Sequence, residues 1–300
     1  MIFIASDPSF AHPLPEGHRF PMLKYELLPR QLLHEGTCTA EQFFNPDLID
    51  LDHVLNTHDQ AYVQRLLKEE LNPKEVRKIG FPLSTALVER ELRIAQGTVE
   101  GALNAIEYGV ALNIAGGTHH AYPDRGEAFC LLNDQAIAAN YLLKHTSTEC
   151  ILIIDLDVHQ GNGTAVIFQN KPEVFTFSMH GKANYPFKKE ASDLDIELER
   201  GTDDKTYLQL LQEQLETLFE GIHPDFVFYL SGVDILATDK LGTLGLTLEG
   251  CKKRDALVFK MAYYKGVPVQ CSMGGGYSKD IRIIVEAHAN TYRIAHTIYG

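Results

Sequence analysis

Cysteine is scarce and unpatterned. The 300-residue chain has five (Cys38, Cys130, Cys150, Cys251 and Cys271), an odd number with no C-x-x-C spacing. That argues against a disulfide framework and a thiolate metal site, and it points to reduced thiols in an intracellular, cytoplasmic protein. Long apolar runs are missing too, so no membrane span is expected. The opening "MIFIASDPSF" lacks the basic stretch of a signal peptide. Basic residues are outnumbered, 27 Lys and Arg against 40 Asp and Glu, for a formal net charge of −13. This balance disfavours non-specific nucleic-acid binding. It would suit a cationic substrate such as a lysine-rich tail or a polyamine, although solubility alone is reason enough for an acidic surface. No repeat, low-complexity tract or Gly/Ser-rich linker interrupts the chain, so one domain over 1–300 is expected.

What is present is an alternation of short apolar runs with longer amphipathic ones. Strands are expected at 2–5, 109–117, 150–157, 173–180, 225–234 and 267–276. Helices are expected around 21–34, 59–71, 83–108, 134–145, 203–221, 249–265 and 280–298, with 72–84 as a loop. Strands without internal alternation, separated by helices, predict an α/β fold: a mostly parallel sheet flanked by helices on both faces. Ligands of such sheets sit outside the carboxyl ends of the strands. There the unusual residues gather: "AGGTHHA", "DLDVHQGNG", "SGVD" and "MGGGY" each end a strand.

Buried carboxylates are costly unless paired or bound to a cation. Asp157 and His159 are two apart on extended chain and can face one ion together. With Asp234 they make two carboxylates and an imidazole, a set suited to catalytic zinc or iron(II) with one position open. The alternative is a D-x-H that merely caps the next helix. The tandem His119–His120 could ligate a metal, move protons or be satisfied polar residues, with Asp155 and Asn162 available to set their tautomers. Tyr277, after three glycines, could bind an oxyanion or simply pack.

Taken together, "GGTHHA", "FCLLND", "IIDLDVHQGNGTA", "LSGVDILATDKLG" and "GGGYSK", with "THDQAYVQRL" near the start, resemble the zinc-dependent histone deacetylase family with its arginase-like fold. "HQGNG" and "GCKKRDALVF" look most like class IV members and their bacterial relatives. The resemblance implies zinc on Asp157, His159 and Asp234. It implies His120 as general base and acid, His119 as its partner, Asp155 and Asn162 behind them, and Tyr277 as oxyanion donor. Phe129 and Tyr185, with Gly275, would bind an acyl-lysine chain of a peptide or protein. A structural potassium ion would use Asp155, Ser178 and Met179, with oxygens of Asp157 and His159.

Class IV relatives imply a leaning toward long fatty-acyl groups over acetyl. Three positions depart from common family patterns: Asn162 where some classes have Asp, Thr118 before the histidines, and Ala128 where a tunnel glycine is common. An acetylpolyamine amidohydrolase shares the implied site, but the N-terminal third looks too compact for one. A two-manganese ureohydrolase would want carboxylates where Gly161 and Gly232 stand. A non-catalytic acyl-lysine binding module should have lost one of the site residues, and all are present.

Overall fold

The computed structural model describes residues 1–300. Eight strands form one sheet: β1 (Phe3–Ala5), β2 (Phe43–Phe44), β3 (Val110–Asn113), β4 (Ile151–Asp155), β5 (Val174–Gly181), β6 (Leu194–Leu198), β7 (Phe226–Ser231) and β8 (Val269–Met273). All pairs are parallel, in the spatial order β2-β1-β3-β8-β7-β4-β5-β6. The helices are α1 (Lys24–His34), α2 (Leu51–Leu55), α3 (Gln60–Leu67), α4 (Pro73–Ile79), α5 (Thr85–Tyr108), α6 (Asp134–His145), α7 (Asn162–Phe168), α8 (Asp204–Ile222), α9 (Leu248–Lys265) and α10 (Ile281–Tyr299). None is long and apolar enough to cross a membrane.

Every residue of β3, β4, β7 and β8 is buried. Successive strand side chains point to opposite faces, so both faces of the central sheet are covered. Helix α5 packs on β1, β3 and β8 and against α6, while α1, α8, α9 and α10 pack on one another as a second layer. This is the expected α/β architecture, a parallel sheet flanked by helices on both faces. Helix α5 lies unusually close to the sheet, because a Cβ added at Gly97 would sit 2.9 Å from the Ala5 Cβ.

Six of the strands were expected, but four of them end early. Strands β3, β4, β7 and β8 stop at Asn113, Asp155, Ser231 and Met273, and the polar residues beyond turn out of the ladder to form loops. Two edge strands were not expected. The two residues of β2 are too few to show a period, and "LDIEL" in β6 is half-exposed and carries two acids. The expected loop at 72–84 is corrected to helix α4. Asn72 caps it by accepting from the Lys74 and Glu75 amides, and Glu75 reaches back to the Asn72 N–H at 2.8 Å. This capping box is written in the sequence as N-P-K-E and opens a helix only seven residues long. Helices α2 and α7 are similarly short, and α7 begins inside the "GNG" run.

Candidate active site

Strands β3, β8, β7 and β4 are neighbours, and the site is built from the loops at their carboxyl ends. After β3 the chain turns through Gly116 and Gly117, both at positive φ (90° and 65°). A Cβ on Gly116 would meet Asp134 Oδ2 at 2.3 Å, and one on Gly117 the Met273 carbonyl oxygen at 2.8 Å. Only glycine fits both the dihedrals and the space. Asp134 then clamps the loop. It accepts from the Thr118 N–H (2.9 Å), the Thr118 hydroxyl (2.7 Å), Thr98 on α5 (2.8 Å) and Ser272 on β8 (3.0 Å).

That clamp presents His119 and His120 with ring centroids 4.0 Å apart. His119 Nδ1 lies 2.6 Å from Asp155 Oδ2. Burial pulls the His119 pKa down, but the Asp155 carboxylate outweighs it and the net shift is upward. His120 Nδ1 lies 2.6 Å from Asn162 Oδ1. The Asn162 amide nitrogen donates to the Tyr122 hydroxyl at 2.9 Å, which leaves its oxygen facing His120. His120 therefore carries its proton on Nδ1 and offers a free Nε2. Burial first, then the charges of His119 and His159, hold it well below the ordinary histidine value. The pair is thus polarised, with one ring inclined to charge and one kept neutral.

Beside them, Asp157, His159 and Asp234 bring one donor atom each within 4.8 Å of one another. Asp157 Oδ1 accepts from the His159 N–H and lies 2.9 Å from its Nδ1. Asp157 Oδ2 accepts from the Gly275 N–H at 2.7 Å. Asp234 Oδ1 accepts from the Val158 N–H at 3.0 Å, while its buried Oδ2 has no hydrogen-bond partner and lies 3.2 Å from His159 Nδ1. Two buried carboxylates and one imidazole facing a common point, with an orphaned oxygen, fit a divalent cation. Room for further carboxylates is lacking. A Cβ on Gly161 would sit 2.3 Å from Asp155 Oδ2, and one on Gly232 2.4 Å from Asp157 Oδ2.

Tyr277 follows the glycines after β8, and its N–H donates to Asp239 Oδ2 at 2.5 Å. Burial first, then the charges of Asp234 and Asp157, push the phenol pKa well above 10, so it remains a donor. Phe129 and Tyr277 face each other at 6.2 Å, and Tyr185 stands edge-on to His120 at 5.1 Å. Ala128 and Phe129 both adopt positive φ (45° and 69°), so the alanine occupies a backbone conformation that favours glycine. An inner cavity of about 40 Å³, bordered by Lys24, Tyr25, Gly117 and Gly275, meets the histidines from within. An outer groove of about 680 Å³ reaches His120, His159 and Tyr277 from solvent.

The residues picked out in the sequence therefore come together. Gly275 belongs more to the carboxylates than to the groove, since a Cβ there would lie 2.0 Å from Asp234 Oδ2. Ser178 sits across the ladder from Asp155, and Met179 is buried next to it. Four other residues shape the site without standing out in the sequence. Asp134 and Asp239 are the clamps just described. Lys24 is a buried cation donating to the Gly274 carbonyl at 3.0 Å; burial lowers its pKa to about 8 against the pull of Asp234 and Asp157. Arg254, fully buried beside Asp255, donates to the carbonyls of Leu156 and Gly232, the residues just before Asp157 and Val233. Asp134, Asp239 and Arg254 lie in motifs already noted and Lys24 in none, and the role of each depends on distant partners.

Residues 18–292 match the family model described as the histone deacetylase domain. The chain is 46% identical over 292 residues to an uncharacterized protein of Picosynechococcus, covering 97% of each. It is 30% identical to histone deacetylase 2 of Arabidopsis thaliana, covering 92% of this chain and 74% of that one. The fold superposes on the crystal structure of a histone deacetylase homologue from Aquifex aeolicus with a TM-score of 0.84 at 23% identity, covering 98% and 84% of the two chains. A sheet end that assembles paired histidines, an Asp-His-Asp cluster and a tyrosine, in a sequence that matches along nearly its whole length, makes this chain a member of the histone deacetylase family.

Proposed function

We propose that the chain is a metal-dependent hydrolase that removes an acyl group from the side-chain nitrogen of lysine in a peptide or protein. Residues 1–300 would act as one catalytic domain, a reading supported by the single continuous cluster of buried apolar side chains. The carrying observation is His120: neutral, fixed in one tautomer, with Nε2 free beside the Asp157–His159–Asp234 cluster and open to the outer groove.

Asp157, His159 and Asp234 would hold zinc, with iron(II) the other ion this donor set suits. Such an ion polarises an amide carbonyl and lowers the pKa of water. His120 accepts the proton of the attacking water at Nε2 and later delivers it to the departing lysine amine. His119, anchored on Asp155, governs the charge beside it. Tyr277 donates to the oxyanion that develops on the former carbonyl oxygen. Phe129 and Tyr185 flank the lysine methylenes. The products are a carboxylate and a free amine. A potassium ion held by Asp155, Ser178 and Met179 belongs to the same reading, supported by the pairing of Asp155 with Ser178 across β4 and β5. A cytoplasmic location is supported by the five free thiols.

The inner cavity bears on the acyl group. About 40 Å³ is room for roughly three waters, which favours acetyl over the long fatty-acyl chain that class IV resemblance suggests. Initial rates of zinc-loaded protein on lysine peptides carrying acetyl to myristoyl groups, beside acetylputrescine, test this reading. Acetyl-lysine should turn over fastest, and His120→Ala should abolish it. Faster myristoyl cleavage would overturn the cavity argument, and faster acetylputrescine cleavage would move the protein to polyamines. No turnover with either metal would leave a binding module.

A further inference from the structure

The overall charge of −13 invites a cationic substrate, but the mouth of the site carries the opposite sign. Apart from the catalytic histidines, the ionisable side chains lining the outer groove are Arg19, Lys78, Arg200, Tyr185, Tyr277 and a single carboxylate, Glu127. That carboxylate is already committed. It accepts from Arg125 Nε at 2.9 Å, from Lys78 at 3.3 Å and from the Tyr185 hydroxyl, and its side chain is only 11% exposed. Arg19 and Arg200 are exposed and form no ion pair. Neighbouring Glu199 is engaged by Lys182 at 3.0 Å. Arg19 is steadied by lying 4.9 Å over the ring of Phe129. The two free cations come from distant parts of the chain, the N-terminal loop and the turn after β6. On the same rim Phe187 is 91% exposed.

From this arrangement we infer that the preferred substrate is an acyl-lysine flanked by acidic residues, whose carboxylates Arg19 and Arg200 receive as the acyl-lysine enters the groove. The inference rests on the deacylase reading above and narrows it. Arginine presents a planar fork of donors to a carboxylate and is weakly hydrated, so it suits such contacts better than a point charge would. A lysine-rich tail or a polyamine meets the same cations as repulsion. Because these groups are exposed, the selection acts through binding and encounter and is weakened by salt.

The test uses three acetyl-lysine peptides of one core sequence, flanked by Asp and Glu, by Ala and Ser, or by Lys and Arg. Rates are measured with the zinc-loaded full chain at low salt and at 0.5 M NaCl. The expected result is kcat/KM about tenfold higher for the acidic peptide than for the neutral one, carried by KM and reduced in high salt. In the double variant R19E/R200E the order of acidic and basic peptides should reverse. Equal rates on all three, a preference for the basic peptide, or an acidic preference that survives the double variant would each overturn the inference while leaving the deacylase reading intact. Absence of turnover on every peptide, and on a fatty-acylated version of the same core, would overturn both.

Discussion

At the scale of single residues, the orientation of one amide decides which nitrogen of His120 is basic. The Tyr122 hydroxyl, which itself donates to Glu190 at 3.2 Å, accepts from the Asn162 nitrogen and so turns the Asn162 oxygen toward His120. Tyr122→Phe removes that anchor without touching the groove's reacting face. Its expected effect is a fall in kcat on the order of tenfold with KM changed little; an unaltered kcat would show that the amide needs no anchor. Tyr277→Phe removes the proposed oxyanion donor, and the expected loss in kcat is about two to three orders of magnitude. A loss under fivefold would mean that the hydroxyl does not reach the reacting oxygen. Calorimetry should find Tyr277→Phe at the wild-type unfolding temperature and Tyr122→Phe below it, because the buried Asn162 N–H loses its partner at about 1–3 kcal/mol.

At the scale of elements, the site depends on how closely the strand ends are drawn together. Arg254 does this from α9, joining the carbonyls beyond β4 and β7, while Asp255 accepts from Tyr229 on β7 and from Thr291 on α10 at 2.8 Å. Removing one partner of a buried ion pair strands the other, at about 3–5 kcal/mol. Arg254→Leu should therefore lower the urea midpoint by that equivalent. A variant of wild-type stability would show that Asp255 is satisfied without the guanidinium. Gly97→Ala should also destabilise, although alanine is the better helix former by about 1 kcal/mol. The overlap with Ala5 costs about 1–3 kcal/mol, so the balance predicts a lower melting temperature, and a higher one would show that α5 can retreat from the sheet. These elements also mark how far the sequence could be read. Long helices and fully buried strands announce themselves by period and composition, as α5, α8 and β4 do. The two edge strands and α4 do not, because a few half-exposed residues bury too little to leave a pattern. Asp157, His159 and Asp234 stand out because charge at the end of an apolar run is anomalous. Lys24 and Arg254 do not stand out, because their burial is decided by partners some 250 and 98 positions away in the chain.

For the molecule as a whole, part of the sensitivity to acid follows from a histidine outside the candidate site. His58 is buried; its Nδ1–H donates to the Tyr122 carbonyl at 2.9 Å and its Nε2 accepts from the Asn133 N–H at 3.0 Å. Burial lowers its pKa to about 4, partly opposed by backbone carbonyls. Above pH ~6.5 the folded and unfolded chains both hold it neutral, so it is pH-independent there. Between that value and about 4 only the unfolded chain takes the proton, and stability falls by about 1.4 kcal/mol per pH unit. The unfolding free energy from urea titration should therefore differ between pH 7 and pH 5 by about 2 kcal/mol less in His58→Gln than in wild type. An identical pH dependence would place the acid sensitivity elsewhere.

The position of β8 has a consequence for how the protein comes into being. It is the last strand in the chain yet lies between β3 and β7 at the middle of the sheet. A nascent chain that has reached only the end of α9 can assemble β2-β1-β3 and β7-β4-β5-β6, two half-sheets whose facing edges are apolar and unpaired. During translation these edges would be open to mispairing with other chains. Tyr277 leaves the ribosome four residues after β8. The strand that joins the halves and Tyr277 therefore emerge together, after both half-sheets have been made.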